Sequence, residues 1–340
     1  MAAANIREVA RRARVSVGTV SNVLNRPESV AEATRQRVMA AIDELGFVRN
    51  EAARHLRAGR SRTVGFVVLD VANPYFTDVA RGVEGLADEH DAMVALCNSG
   101  DDPERERRHV KQLEEQRVLG ILITPVENDN PYLEQVAARG TPVVLVDRGA
   151  GHNQCSVAVD DVLGGRLAGT HLLEQGHRRL GFVGGPLSIK QVADRKAGLH
   201  AAINDLNGTG ADVVVISRPY LTVDEGRRAA EDIVGMPPGE RPTAVFCAND
   251  LLALGLLQEL TRHRLHVPDD IAIVGYDDIG FASAATVPLS SVRQPREQLG
   301  HAAIELLLDE VEHRSRHRHR QVVFQPELVV RESSQHTRAR

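Results

Sequence analysis

Val17, Gly18, Thr19, Ser21 and Asn22 crowd small and polar groups into one short stretch. Hydrogen-bonding groups of that size, carried on the outward side of a helix, suit contact with base edges in a DNA major groove. A second polar set recurs far downstream, each member at the end of an apolar run. Asn73, Tyr75 and Phe76 follow TVGFVVLD, Asp147 and Arg148 end VVLVDR, Asn249 and Asp250 end VFCAND, and Asp277 and Asp278 end VGYDD. Carboxylates accept from hydroxyls, arginine donates, asparagine does both, and an aromatic face covers apolar C–H surface. That is the chemistry of binding a sugar or a similar polyol. For Asp161, Asp250 and Asp278 the plainer reading is a helix cap or loop residue.

The elements that must carry the first set are short helices. Ile6, Val9, Ala10 and Ala13 form one apolar stripe, with Arg7, Arg11, Arg12 and Arg14 on the other face. The chain breaks at Arg14-Val15, Ser16 is a good N-cap, and Val20 and Leu24 turn back toward the first helix. The pair reads as a helix-turn-helix, against the alternative of an ordinary surface αα-hairpin. A third helix is predicted from Val30 to Leu45, with Thr34, Val38, Ala41, Ile42 and Leu45 on one face and Gly46 closing it, so three helices share a small core. Through Arg62 the segment carries 12 Arg against 6 acidic residues, a balance of +6 in a chain of net charge −5, which leaves −11 for the rest. The basic charge sits where phosphate contacts need it.

Asn50 to Arg62 separates this head from a body. Ala52, Ala53, Arg54, His55 and Leu56 favour a helical turn or two, yet one leucine cannot anchor them, so the segment reads as a conditional helix or a plain linker. From Thr63 the pattern changes to strand-length apolar runs alternating with amphipathic helices, which implies parallel sheets. TVGFVV at Thr63 and RLGFVG at Arg179 echo each other and predict two similar Rossmann-like lobes. The expected domains are 1–48 (head), 49–62 (hinge) and 63–340 (body), the body divided into a first lobe of about 63–160 and 293–325 and a second of about 161–292 and 326–340. QVVFQPELVV reads as a last strand, and the ligand site falls where the strand carboxyl ends of both lobes face one cleft.

Composition excludes several classes. No stretch approaches about 18 uninterrupted apolar residues, and the N-terminus lacks a signal-peptide pattern, so the expectation is a cytoplasmic protein without membrane contact. Cys97, Cys155 and Cys247 show no CxxC spacing, and no zinc site or disulfide framework is expected. GGPLSIK lacks the P-loop pattern and GGRLAG lacks a preceding strand; they read as a turn and a helix contact. HRSRHRHR, from His313 to Arg320, reads as a solvated basic loop rather than a metal site. No spacing identifies a catalytic arrangement, so neither enzyme activity nor a cofactor is expected.

IREVARRARVSVGTVSNVLN, VAEATRQRVMAAIDELGF, AARHLR, NPYF, VLVDR, GHRRLGFVGGP, RPTAVFCANDLLALGLL, VPDDIAIVGYDD and VRQP together resemble the lactose-repressor (LacI/GalR) family of bacterial transcription regulators, from about Ile6 to Arg331. The resemblance implies a homodimeric repressor with a periplasmic-binding-protein-like body, reading a pseudopalindromic operator and controlled by a small molecule. It implies that Val17, Gly18 and Asn22 face base edges and that Ser16, Thr19, Ser21, Asn25 and Thr34 contact phosphates or cap. Leu56 matches the hinge leucine that wedges into the minor groove, with Arg54 beside it on the DNA-binding side. Asn73, Tyr75, Phe76, Asp147, Arg148, Arg195, Asn249, Asp277 and Gln294 match sugar-contacting positions. The chain departs from the pattern at Arg49, where many members carry proline, and at Leu221, where an aromatic platform commonly sits, with Tyr220 one residue earlier. A sugar is the expected effector and a purine or other metabolite the alternative; the alternative class is a sugar-binding protein without a regulatory role.

Overall fold

Asn5 opens the first helix. Its side chain accepts from the amides of Arg7 and Glu8, and its own amide donates to the Glu8 carboxylate, a closed capping box. The computed structural model describes residues 4–47, 61–127, 130–149, 153–205 and 210–335. They belong to two compact units, Met1–Ser61 and Arg62–Arg340. In the first, α1 (Ile6–Ala13), α2 (Val17–Asn25) and α3 (Glu32–Leu45) bury Val9, Ala10, Ala13, Val20, Val23, Val38 and Ala41 against one another. Arg14, in the left-handed region at φ 54°, turns the chain, and Ser16 caps α2 by accepting from the Thr19 amide. The third helix starts two residues later than the sequence pattern predicts. Pro27–Ser29 form a short 3-10 turn, and Val30 and Ala31 are extended before it. Gly46 ends α3 at φ 57°, as read from sequence.

In the second unit, buried apolar strands alternate with capped helices. One sheet contains β1 (Thr63–Val68), β2 (Met93–Asn98), β3 (Gly120–Ile123), β4 (Val143–Val146), β5 (Cys155–Val159) and β11 (Gln321–Phe324), in the order β11-β5-β4-β3-β1-β2 and parallel throughout. The other contains β6 (Arg179–Gly184), β7 (Asp212–Ser217), β8 (Ala244–Cys247), β9 (Ala272–Asp277), β10 (Ser290–Arg293) and β12 (Glu327–Val329), in the order β12-β10-β9-β8-β6-β7, with β12 antiparallel to β10. Each sheet reverses its strand order beside its first strand, the hallmark of a doubly wound fold. The helices are α4 (Pro74–Glu89), α5 (Pro103–Glu115), α6 (Pro131–Ala138), α7 (Asp161–Glu174), α8 (Lys190–Asp205), α9 (Val223–Gly235), α10 (Asp250–Arg262), α11 (Gly280–Ala284) and α12 (Arg296–Glu312). Separate apolar cores fill the two lobes.

Two sequence expectations change. A strand, β5, does precede GGRLAG, although the glycines still act as helix contacts. QVVFQPELVV is two strands rather than one: Pro326 has no amide to donate and stops the ladder, so QVVF joins the first sheet and ELV the second. Among the described residues no helix is long and apolar enough to cross a membrane.

Candidate functional site

Both sheets of the second unit direct their strand carboxyl ends at one cleft, which holds a cavity of about 270 Å³. All eleven body residues predicted from sequence line it: Asn73, Tyr75 and Phe76 after β1, Asp147 and Arg148 after β4, Arg195 on α8, Tyr220 and Leu221 after β7, Asn249 after β8, Asp277 ending β9, and Gln294 after β10. Asp70, Asp101 and Gln191 also line it and were missed. Asn73 first serves as a cap: its side chain accepts from the Tyr75 amide at 3.0 Å and, with Pro74 behind it, sets the start of α4. That start buries the Tyr75 and Phe76 rings edge to face, 5.1 Å apart. Asn249 likewise caps α10 while donating to the Leu221 carbonyl at 3.1 Å. Tyr220, 60% exposed, leaves Leu221 as the nearer apolar wall.

Arg195, which lines the cavity, is also held firmly by the protein itself. Its Nε donates to Asp161 at 2.8 Å, its Nη1 to the Ala248 carbonyl at 2.7 Å, and its guanidinium lies 3.7 Å from the centre of the Tyr276 ring. The pair is buried because α7 and α8 touch backbone to backbone. A Cβ on Gly165 would come within 1.9 Å of the Arg195 carbonyl oxygen, and one on Gly198 within 2.0 Å of that of Val162. Asp161 thus does more than start a helix, whereas Asp250 and Asp278 are scaffold. Asp250 accepts from the Ser291 hydroxyl and the Ile279 amide, and Asp278 is held by Arg293 and Arg331.

Asp277 ends β9 at φ 105° and Asp147 follows β4 at φ 57°. Such backbones cost about 1–3 kcal/mol each and cluster at ligand clamps. The Asp277 carboxylate accepts from Gln294 at 2.7 Å. Its carbonyl accepts from Arg296, which also donates to Asp78 on α4 at 2.9 Å. Burial pushes the Asp277 carboxyl up to about 7 against the pull of Arg195, and raises Asp161 to about 6 against the same cation. Burial also lowers the Arg148 guanidinium and raises the Tyr75 phenol. Gln191 Nε2 reaches across the cleft to the Asp147 carbonyl at 2.5 Å and to its carboxylate at 3.0 Å. Five buried atoms of cavity residues take no hydrogen bond among the described residues: Tyr75 Oη, Asp147 Oδ1, Arg148 Nε, Gln191 Oε1 and Gln294 Oε1. Each is costly to bury without a partner, and together they offer donors and acceptors in one place.

In the first unit, Val17, Gly18 and Asn22 stand exposed on α2. Ser16 and Thr19 share a hydroxyl contact at 2.9 Å, and Asn25 donates to the Ser21 carbonyl at 2.7 Å. Thr34, half-buried, lies on the first turn of α3 beside Arg37. These side chains steady the helix ends and leave the exposed trio free of packing. Arg54 and Leu56 lie outside the described residues.

Comparison with known proteins places both units. The family described as "Bacterial regulatory proteins, lacI family" matches residues 5–50, and a periplasmic binding protein-like domain matches residues 170–334. The HTH-type transcriptional repressor PurR of Vibrio atlanticus is 36% identical over 330 residues, covering 96% of this chain and 98% of that protein. PurR of Aliivibrio fischeri is 33% identical over 333 residues, covering 97% and 98%. Among solved structures, the lac repressor dimer bound to operator and the anti-inducer ONPF superposes with a TM-score of 0.82 at 27% identity, covering 98% of this chain and 99% of that one. The transcriptional regulator CelR in complex with cellobiose gives a TM-score of 0.71 at 31% identity, covering 97% and 99%.

Proposed function

The chain belongs to the lacI family of bacterial regulatory proteins, and from that premise we propose that it is a repressor whose hold on operator DNA is set by a small polyhydroxylated effector in the cleft. The observation that carries the effector reading is the set of five unpartnered polar atoms around one cavity beside the Tyr75 and Phe76 rings. A pentose or hexose supplies hydroxyls that both donate and accept, and one aromatic face suffices to cover its C–H surface. The solved CelR–cellobiose complex supports a sugar. In this reading the protein is a cytoplasmic homodimer on a pseudopalindromic operator, with Val17, Gly18 and Asn22 toward base edges and Ser16, Thr19, Ser21, Asn25 and Thr34 toward phosphates. Arg54 and Leu56 would add hinge contacts to the DNA.

A second reading, a purine effector, is favoured by the PurR relatives. Against it, Leu221 stands where a purine would want a second ring. Calorimetry with a panel of pentoses, hexoses and purine bases, followed by a gel shift on DNA flanking the protein's own gene, decides. A sugar that binds and alters the shift upholds the first reading. A purine that does so in its place installs the second, and DNA binding indifferent to every cleft ligand overturns both.

A further inference from the structure

HRSRHRHR does not behave as the solvated loop its composition predicts. His317 folds inward until its side chain is 3% exposed, against Cys155 at the start of β5. Cys155 Sγ lies 3.2 Å from His317 Nε2 and 3.8 Å from His319 Nδ1, and His317 Nε2 lies 3.8 Å from Glu310 Oε2 on α12. All four ligand atoms fall within 4.8 Å of one another. We propose that Cys155, Glu310, His317 and His319 form a binding site for a zinc-like transition-metal dication at the amino ends of β5 and β11, on the opposite edge of the first lobe from the cleft.

The donor set carries the choice of ion. One thiolate, two imidazoles and one carboxylate suit a borderline-soft dication, whereas magnesium and calcium seek oxygen alone. Tetrahedral bonds of roughly 2.0–2.3 Å put ligand atoms about 3.5 Å apart, so the three measured spacings already approximate such a shell. The wider pairs close by about an ångström, a reach that the exposed His319 ring can make. Four protein ligands leave no open position, the pattern of a structural rather than a catalytic metal.

The surroundings point the same way. His317 Nδ1 meets Asp309 Oδ2 at 2.8 Å, an arrangement that holds the proton on Nδ1 and turns the Nε2 lone pair toward Cys155. Burial raises the Cys155 thiol, and the Arg320 amide, donating to Cys155 Sγ at 3.4 Å, works against that rise. Glu310 Oε2 is buried and takes no hydrogen bond among the described residues. An ion there would give that oxygen its partner and tie α12, the 313–320 loop and β5 together, fixing the entry to β11. Sequence spacing hid the site because Cys155 and His317 are 162 residues apart.

The test is a cobalt(II) titration of the full chain after chelator treatment, followed by absorption. The expected result is one equivalent bound, with an intense near-ultraviolet thiolate-to-cobalt band and tetrahedral d–d bands, all displaced by zinc. Cys155→Ser should abolish the thiolate band, and Cys97→Ser should keep it. His319→Ala, at an exposed position that the fold does not need, should weaken cobalt binding at least about tenfold, as should Asp309→Asn through the lost imidazole partner. Zinc should raise the melting temperature of the wild type and not that of His319→Ala. A folded wild type without the thiolate band, a band that survives Cys155→Ser, or His319→Ala binding cobalt as tightly as wild type would overturn the proposal.

Discussion

Asn22 is exposed on α2 with no packing to do, and asparagine pairs bidentately with adenine in the major groove. Asn22→Ala should therefore weaken specific operator binding by about 1–3 kcal/mol and leave binding to random DNA nearly unchanged. Anisotropy titrations on both DNAs check this, and equal losses would remove Asn22 from base readout. A second residue-scale prediction concerns Asp277. Its carboxyl, lifted to about 7 by burial, holds a proton more tightly folded than unfolded, so it subtracts stability as pH climbs from the ordinary carboxylate range toward 7 and adds no change above. Ligand hydroxyls that donate to this carboxylate favour its charged form. Effector binding should then release a proton and tighten as pH rises from about 6 to about 8, with the effect gone in Asp277→Asn. Calorimetry in two buffers of different ionisation enthalpy measures the proton; uptake in place of release would refute the assignment. The strand-end rule found Asp147, Asn249 and Asp277 in the sequence, but it picked out Asp250 and Asp278 as well, which serve the scaffold, and Arg195 and Gln294 came only with the family resemblance. It could not find Gln191, which sits in no motif, or the Asp161 partner of Arg195, 34 residues away and legible as a cap.

At the scale of elements, the head helices and most strands were legible because capping residues and apolar runs act locally. β5 was not: CSVAV is only five residues long and carries few strongly apolar side chains, so it did not stand out beside the longer runs. The split of QVVFQPELVV was written in Pro326, where the expected bounds of the two lobes already divide the segment. Helix contact in GGRLAG was legible, and its consequence for the site was not. Because a Cβ on Gly165 would meet the Arg195 carbonyl at 1.9 Å, Gly165→Ala must push α7 from α8 and disturb the Asp161–Arg195 pair. Overpacking of this kind costs about 1–3 kcal/mol. Gly85→Ala at an exposed position of α4, where a Cβ would meet nothing within 4 Å, should instead stabilise by up to about 1 kcal/mol through helix propensity. Urea melts of the two variants give opposite signs if the reading is right, and a neutral Gly165→Ala would show that the helices can separate freely.

For the molecule as a whole, the cleft residues divide into those that face only the cavity and those that link the lobes. Gln191, on the second lobe, grips Asp147 on the first, and Arg296 joins the Asp277 carbonyl to Asp78. These bonds bias how far the lobes close without ligand. An effector shifts that equilibrium only by its preference between closures, and whatever factor it imposes on operator affinity the operator must impose on it. Two variants separate the roles. Asp277→Ala, a ligand contact in our reading, should abolish the effector's influence on DNA while operator affinity without effector stays nearly intact. Gln191→Ala, a closure contact, should move operator affinity even without effector, because it changes the starting population. In the wild type the coupling should fall within roughly 5–150-fold and be equal in both directions. Operator titrations with and without effector, paired with effector titrations with and without operator, measure all four sides of the cycle. If Asp277→Ala leaves effector affinity untouched, the effector binds elsewhere, and if Gln191→Ala leaves the effector-free operator affinity at the wild-type value, the lobes are not the switch.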